Sequence, residues 1–166
     1  MNFSKLFEMQ KTLDTYIETK QGLHDEALLE RKLLALQVEL AELANETRCF
    51  KFWSTKGPSE RDVILEEYVD GIHFILSIGL EYGYDKTCHC QYPESVSVSK
   101  EVLVTDFFNV TDKLLNLRKE GSKNAFEALF TSYLTIGAHL GFSGEDVEQA
   151  YMKKNDVNKQ RQDQGY

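Results

Sequence analysis

The chain has 166 residues, a length that at about 100–200 residues per domain favours one compact domain over a string of modules, so a single domain over 1–166 is expected. Hydrophobic residues make up 42% and charged residues 28%, ordinary values for a folded protein, which sets aside wholesale disorder and fibrous repeats. Nineteen Lys and Arg against twenty-seven Asp and Glu leave a formal charge of −8, which argues against coating of nucleic acid or anionic lipid by bulk charge while leaving room for a small basic pocket.

Apolar residues recur at helical spacing and only two prolines, Pro58 and Pro93, interrupt the chain, so the pattern predicts an all-α helical bundle of about six helices. Phe3, Leu6, Phe7, Leu13, Tyr16 and Ile17 predict a first helix from Phe3 to about Thr19, closed by Gly22. A second is expected from about Asp25 to Arg48, with Leu29, Leu33, Leu36, Leu40 and Leu43 on its buried stripe. The third follows Pro58, where Ser59 and Asp62 resemble a capping box, and runs to about Tyr82; its nearly all-apolar second half marks it as the central helix. Asp85 to Ser99, with Pro93 and a Ser/Val alternation, reads as a loop holding one short extended piece. A fourth helix spans Lys100 to Glu120 and ends at Gly121, and a fifth runs from Lys123 to Leu140 and stops at Gly141. The last starts at Ser143, has an acid three residues on at Asp146, and continues to about Gln162, leaving Gln164-Gly165-Tyr166 as a tail that folds back.

Ile72 to Leu80, broken by His73, Ser77 and Gly79, falls well short of the roughly 20 apolar residues a membrane span needs, so no membrane partner is expected. The N-terminus lacks a basic stretch followed by an apolar block, and the odd set Cys49, Cys88 and Cys90 fits a reducing compartment, so a cytoplasmic address is expected. Cys88-His89-Cys90 lacks the two-to-four-residue spacer and the second ligand pair of a zinc site.

Glu39, Glu42 and Glu46 are spaced three and four residues apart and fall within an arc of about 60° on the second helix. Glu67 and Asp70 repeat the three-residue spacing on the third, among Val69, Ile72 and Phe74. Such acids can line a solvated face, or they can point inward, where uncompensated carboxylates are too costly to persist without cations. Mg²⁺, a hard ion that takes oxygen ligands and accompanies substrate phosphates, is the simplest match. An antiparallel hairpin of the two helices would bring the acidic faces opposite each other.

On the last helix Tyr151, Lys154, Asn158 and Arg161 fall within about 80° of one another and form a polar, cationic face. Lys offers a point charge, Arg a bidentate fork and Asn amide donors for phosphate oxygens, although a solvated basic tail has the same pattern. Acids for metal and bases for phosphate describe a polyphosphate site, with hydrolysis favoured over transfer. The chain has no P-loop and no nucleophile-elbow pattern, which removes kinase, P-loop GTPase and serine hydrolase readings.

Glu39-x-x-Glu42, Glu67-x-x-Asp70 and the closing Tyr151-x-x-Lys154-Asn155-x-x-Asn158-x-x-Arg161-Gln162-x-x-Gly165-Tyr166, together with Gln10-x-x-Leu13-Asp14, resemble the dimeric all-α dUTPases of the MazG-like NTP pyrophosphohydrolase superfamily. The resemblance implies that Glu39, Glu42, Glu67 and Asp70 hold Mg²⁺, with Glu39 as the base that orients water. It implies that Lys154, Asn158 and Arg161, with Tyr151, grip the phosphates, and that Gln10 and Asp14 lie near the uracil. Some relatives carry Asn at the position of Asp14. Phe50-Lys51-Phe52-Trp53 matches the family's aromatic segment, so Trp53 either walls the base pocket or packs the helix connection. His73 and Ser77, one and two turns beyond Asp70, either line that pocket or belong to the core. The implied activity is hydrolysis of dUTP, and of dUDP, to dUMP by a homodimer, with a regulatory protein as a further partner. Two other readings keep the scaffold: a dCTP-selective or broad dNTP pyrophosphohydrolase, and a non-catalytic helical regulator.

Overall fold

The computed structural model describes residues 1–165; Tyr166, the last residue of the C-terminal motif, lies outside them. The described residues form six helices, α1 (Phe3–Gln21), α2 (Leu29–Thr47), α3 (Arg61–Glu81), α4 (Lys100–Glu120), α5 (Lys123–His139) and α6 (Gly144–Asp163), and no strand, which makes the fold an all-α bundle. Among them, no helix is long and apolar enough to cross a membrane.

α3 packs against α1, α2, α5 and α6, and its residues from Tyr68 to Gly79 are nearly all buried. A helix apolar all round has no face to offer water and becomes the centre of the bundle. α2 and α3 run antiparallel, as the cross-helix neighbours Glu46 with Ser59 and Lys32 with Glu81 show. α4 and α5 form a second hairpin, and α4 also lies against α2.

Two tyrosines fix α3 against α5. The rings of Tyr68 and Tyr133 stack with centroids 5.0 Å apart, Tyr133 Oη donates to the Tyr68 carbonyl at 2.9 Å, and Tyr68 Oη returns the bond at 3.4 Å. Gly71 and Gly137 make this possible, since a Cβ at either position would enter the ring of Tyr133 or Tyr68. The register set here fixes the turn of α3 that carries Glu67 and Asp70.

Helix ends differ from expectation in two places. α2 starts at Leu29 rather than Asp25: residues 23–26 form a turn closed by Glu26 N to Leu23 O at 3.0 Å, and Leu28 provides no side-chain cap. Ser59 does not cap α3. Its backbone N–H donates to Glu46 O at 3.0 Å and its hydroxyl binds the Glu46 carboxylate, so it ties the start of α3 to the end of α2, and Glu60 takes the cap position. The 49–60 connection is further held by Arg48, in the left-handed region at φ 54°, whose guanidinium donates to Ser54 Oγ at 2.6 Å and Lys56 O at 3.3 Å. Ser143 and Asp146 do form the capping box expected for α6. Residues 85–99 form a loop without a strand, pinned by Tyr92 Oη to Phe142 O at 3.0 Å and Val96 N to Ala138 O at 2.8 Å.

Candidate active site

The antiparallel α2–α3 pair brings carboxylates from both helices to one place. Glu39, Glu67 and Asp70 each offer an oxygen, and the three oxygens lie within 4.8 Å of one another. All three residues are half-buried, while Glu42 sits exposed at the rim. Burial, followed by the charges of Asp70, Glu42 and Glu67, pushes the Glu39 carboxyl up to about 7. Burial also raises Glu67, with Asp70 and Glu42 adding to it. Asp70 is raised by burial against the opposing pull of Lys154. Glu46 turns away to Ser59 and Asn45.

An all-oxygen donor set of three carboxylates, with Lys154 and Arg161 acting on Asp70, fits a hard divalent cation. Glu39, Glu67 and Asp70 are the residues able to hold it, with Glu42 within electrostatic reach.

A cavity of about 370 Å³ opens beside these acids and has Glu39, Asp70, Asn158 and Arg161 among its walls. Another part of its wall is formed by Gln10, Asp14, His73, Phe74 and Ser77. Gln10 organises that part: its Nε2 donates to Asp14 Oδ1 at 2.7 Å and its Oε1 accepts from Tyr151 Oη at 2.8 Å. The same oxygen lies 2.8 Å from His73 Nδ1, so that nitrogen carries the proton, and burial holds the imidazole neutral by lowering its pKa to about 3. Ser77 Oγ donates to Asp14 Oδ2 at 2.6 Å, and Lys32 Nζ stands 3.7 Å from the same oxygen. Burial raises the Asp14 carboxyl, with Ser77, Lys32 and Gln10 working against it.

The structure divides the expected phosphate-binding face. Asn158 and Arg161 reach the cavity. Tyr151 is wholly buried, stacked on His73 with centroids 4.1 Å apart and bound to Gln10, so it supports the pocket wall instead of facing a ligand. The Lys154 ammonium lies 2.7 Å from both Asp70 Oδ2 and Glu66 Oε1, and its charge is therefore engaged by carboxylates. Contacts between the ends of α1 and α6, including Lys20 Nζ to Asp163 Oδ1 at 3.4 Å and Gln21 Nε2 to Gln162 Oε1 at 3.0 Å, fix this part of α6 over the cavity.

Trp53 stands apart. It is 64% exposed, packs edge-on against Phe50 and Phe52, and does not line the cavity. Lys32, Glu66 and Phe74 belong to the site's surroundings without having been singled out from the sequence. For Lys32 the signal was its place beside Leu29, Leu33 and Leu36 on the buried stripe of α2, where a charge needs partners; Glu18 and Glu81 supply them at 3.4 and 2.5 Å. Glu66 carried no such signal.

A family model described as dUTPase matches residues 2–166. The chain belongs to the dUTPase family. No curated protein matches it. For a dUTPase, whose substrate joins a triphosphate to a neutral base, the cavity lining combines the acidic cluster with Asn158 and Arg161, and a second group in which amide, imidazole, hydroxyl and aromatic side chains stand with the Asp14 carboxylate and Lys32.

Proposed function

We propose that this dUTPase is a magnesium-dependent diphosphatase of the MazG-like type that converts dUTP to dUMP and pyrophosphate, and dUDP to dUMP and phosphate, with residues 1–166 acting as one catalytic domain. The observation that carries the reading is the convergence of Glu39, Glu67 and Asp70 within 4.8 Å at the wall of a cavity that Arg161 and Asn158 also line.

In this reading Glu39, Glu42, Glu67 and Asp70 hold Mg²⁺. When bound, the ion neutralises phosphate charge and polarises the phosphorus that water attacks. Glu39, on the cavity wall beside Glu67 and Asp70, would accept the proton of that water. Arg161 takes phosphate oxygens through its planar fork, Asn158 adds amide donors, and Lys154 keeps Asp70 charged and in place. Gln10 and Asp14 meet the base edge, and Phe74 supplies an apolar wall.

A second copy of the chain is proposed to cover the α2–α4 face. Leu34 and Val38 on α2 and Phe108 and Leu115 on α4 are exposed there, Leu34 at 65% and Phe108 at 68%. Leu34 and Leu115 line one groove between the two helices, and Phe108 lines a neighbouring one. Glu30 and Arg118, which line the same groove as Leu34 and Leu115, pair at 2.8 Å.

The test is product analysis on dUTP, dCTP and dTTP with magnesium and with a chelator. The reading expects one pyrophosphate per dUMP, loss of turnover on chelation and its return with Mg²⁺. Equal turnover of all three nucleotides, or turnover indifferent to the chelator, would overturn it. Preferred hydrolysis of dCTP would favour the alternative in which the acceptor-only Asp14 carboxylate binds the amino group of cytosine.

A further inference from the structure

Cys88-His89-Cys90 takes no part in the chemistry above. It lies in the α3–α4 connection, where the two sulfur atoms are 3.0 Å apart, both thiols are free, and both residues are half-buried. The backbone on either side is held: Cys88 N donates to Tyr84 O at 3.0 Å, Tyr84 Oη donates to Gly121 O at 2.6 Å, and His89 N donates to Glu127 Oε1 at 3.1 Å. The sulfurs are thus presented to each other by a fixed loop. Among the described residues no third metal-ligating side chain joins them, since the one group of three donors is Glu39, Glu67 and Asp70.

We propose that Cys88 and Cys90 form a reversible thiol–disulfide exchange site for small disulfides of the glutathione class.

The two thiols are unequal. A hydrogen bond from Cys90 holds the Cys88 thiol below its ordinary range, with Lys123 adding a favourable charge against burial and Glu127. The same bond, then burial and the Cys88 charge, push Cys90 up, while Thr131 works the other way. A depressed thiol beside a resolving one is the arrangement that exchange chemistry requires. The Cys88 thiolate attacks one sulfur of RSSR, forming a Cys88–SR mixed disulfide and releasing RS⁻. That thiolate takes the Cys90 proton, and the Cys90 sulfur attacks the Cys88 sulfur and expels the second RS⁻, which is protonated by solvent with the proton Cys88 gave up. The dithiol is oxidised to one disulfide, and RSSR is reduced to two RSH. The ring closes over a single intervening residue, His89. Asp70 lies eleven residues, about 16 Å of helix, before the end of α3, so the site stands independently of the hydrolytic reading.

The full chain is incubated with oxidised glutathione near neutral pH and followed by thiol titration, intact mass and peptide mapping. Wild type is expected to fall from three free thiols to one, with a mass lower by two hydrogens and full recovery on reduction. Cys90→Ser is expected to keep a glutathione adduct on Cys88. Cys88→Ser, which lacks the neighbouring thiol, is expected to keep a glutathione adduct on Cys90. A wild-type protein that keeps three thiols or holds a lasting adduct, or a single Ser variant that loses its adduct without added reductant, would overturn the proposal.

Discussion

Lys154 on α6 places one ammonium 2.7 Å from Asp70 Oδ2 and 2.7 Å from Glu66 Oε1 on α3. Burial works against the charged lysine, but the two carboxylates outweigh it and raise its pKa. The contact joins the helix that carries Arg161 to the helix that carries the acidic cluster. Lys154→Met keeps the stem and removes the charge, leaving the half-buried Asp70 without its ammonium partner. The expected loss is roughly 1–3 kcal/mol of stability in metal-free protein, measured by denaturant unfolding. Added Mg²⁺ is expected to recover more stability in the variant than in wild type.

Glu39 makes metal-free stability depend on pH. Its folded pKa, about 7, lies above the ordinary 4.5, so between those values the folded chain keeps a proton that the unfolded chain has lost. Stability from this group is therefore full below about pH 4.5 and is lost as pH rises through 7. With Glu39 only half-buried, solvent screening reduces the effect to about 1–2 kcal/mol. Thermal unfolding without metal is expected to show a smaller fall between pH 5 and 8 for Glu39→Gln than for wild type.

The α2–α3 hairpin was legible because both acids and leucines repeat at helical intervals, and the central place of α3 followed from its apolar second half. Positions that depend on tertiary partners were not. Tyr151 and Lys154 share a face with Asn158 and Arg161, yet helical spacing cannot say that Gln10 would claim the tyrosine and Asp70 the lysine. Trp53 stayed ambiguous for the same reason, because a connection's path is set by contacts such as Arg48 to Ser54 and Ser59 to Glu46. The failed cap at Ser59 shows the competition directly: Glu46 of the neighbouring helix provided a better partner than the first turn of α3.

Gly71→Ala tests the tyrosine lock. The added methyl would enter the Tyr133 ring, and the ring cannot retreat without breaking its bond to the Tyr68 carbonyl. Overpacking of this kind is expected to cost about 1–3 kcal/mol, read as a lower unfolding midpoint. Ala at Gly57, where nothing lies near, is the matched control and is expected to be near neutral.

Leu34→Glu combined with Phe108→Glu tests the α2–α4 face. Both side chains are exposed in the isolated chain, so the fold is expected to survive while the dimer is lost. Sedimentation would show a dimer for wild type and a monomer of unchanged helix content for the variant.

The most direct test of the central claim, that the α2–α3 carboxylates perform hydrolysis, is pyrophosphate release from dUTP by Glu39→Gln at saturating Mg²⁺, beside wild type of equal helix content. The account predicts a rate lower by at least about 100-fold, the scale of a lost general base. Release by the variant at the wild-type rate would contradict it.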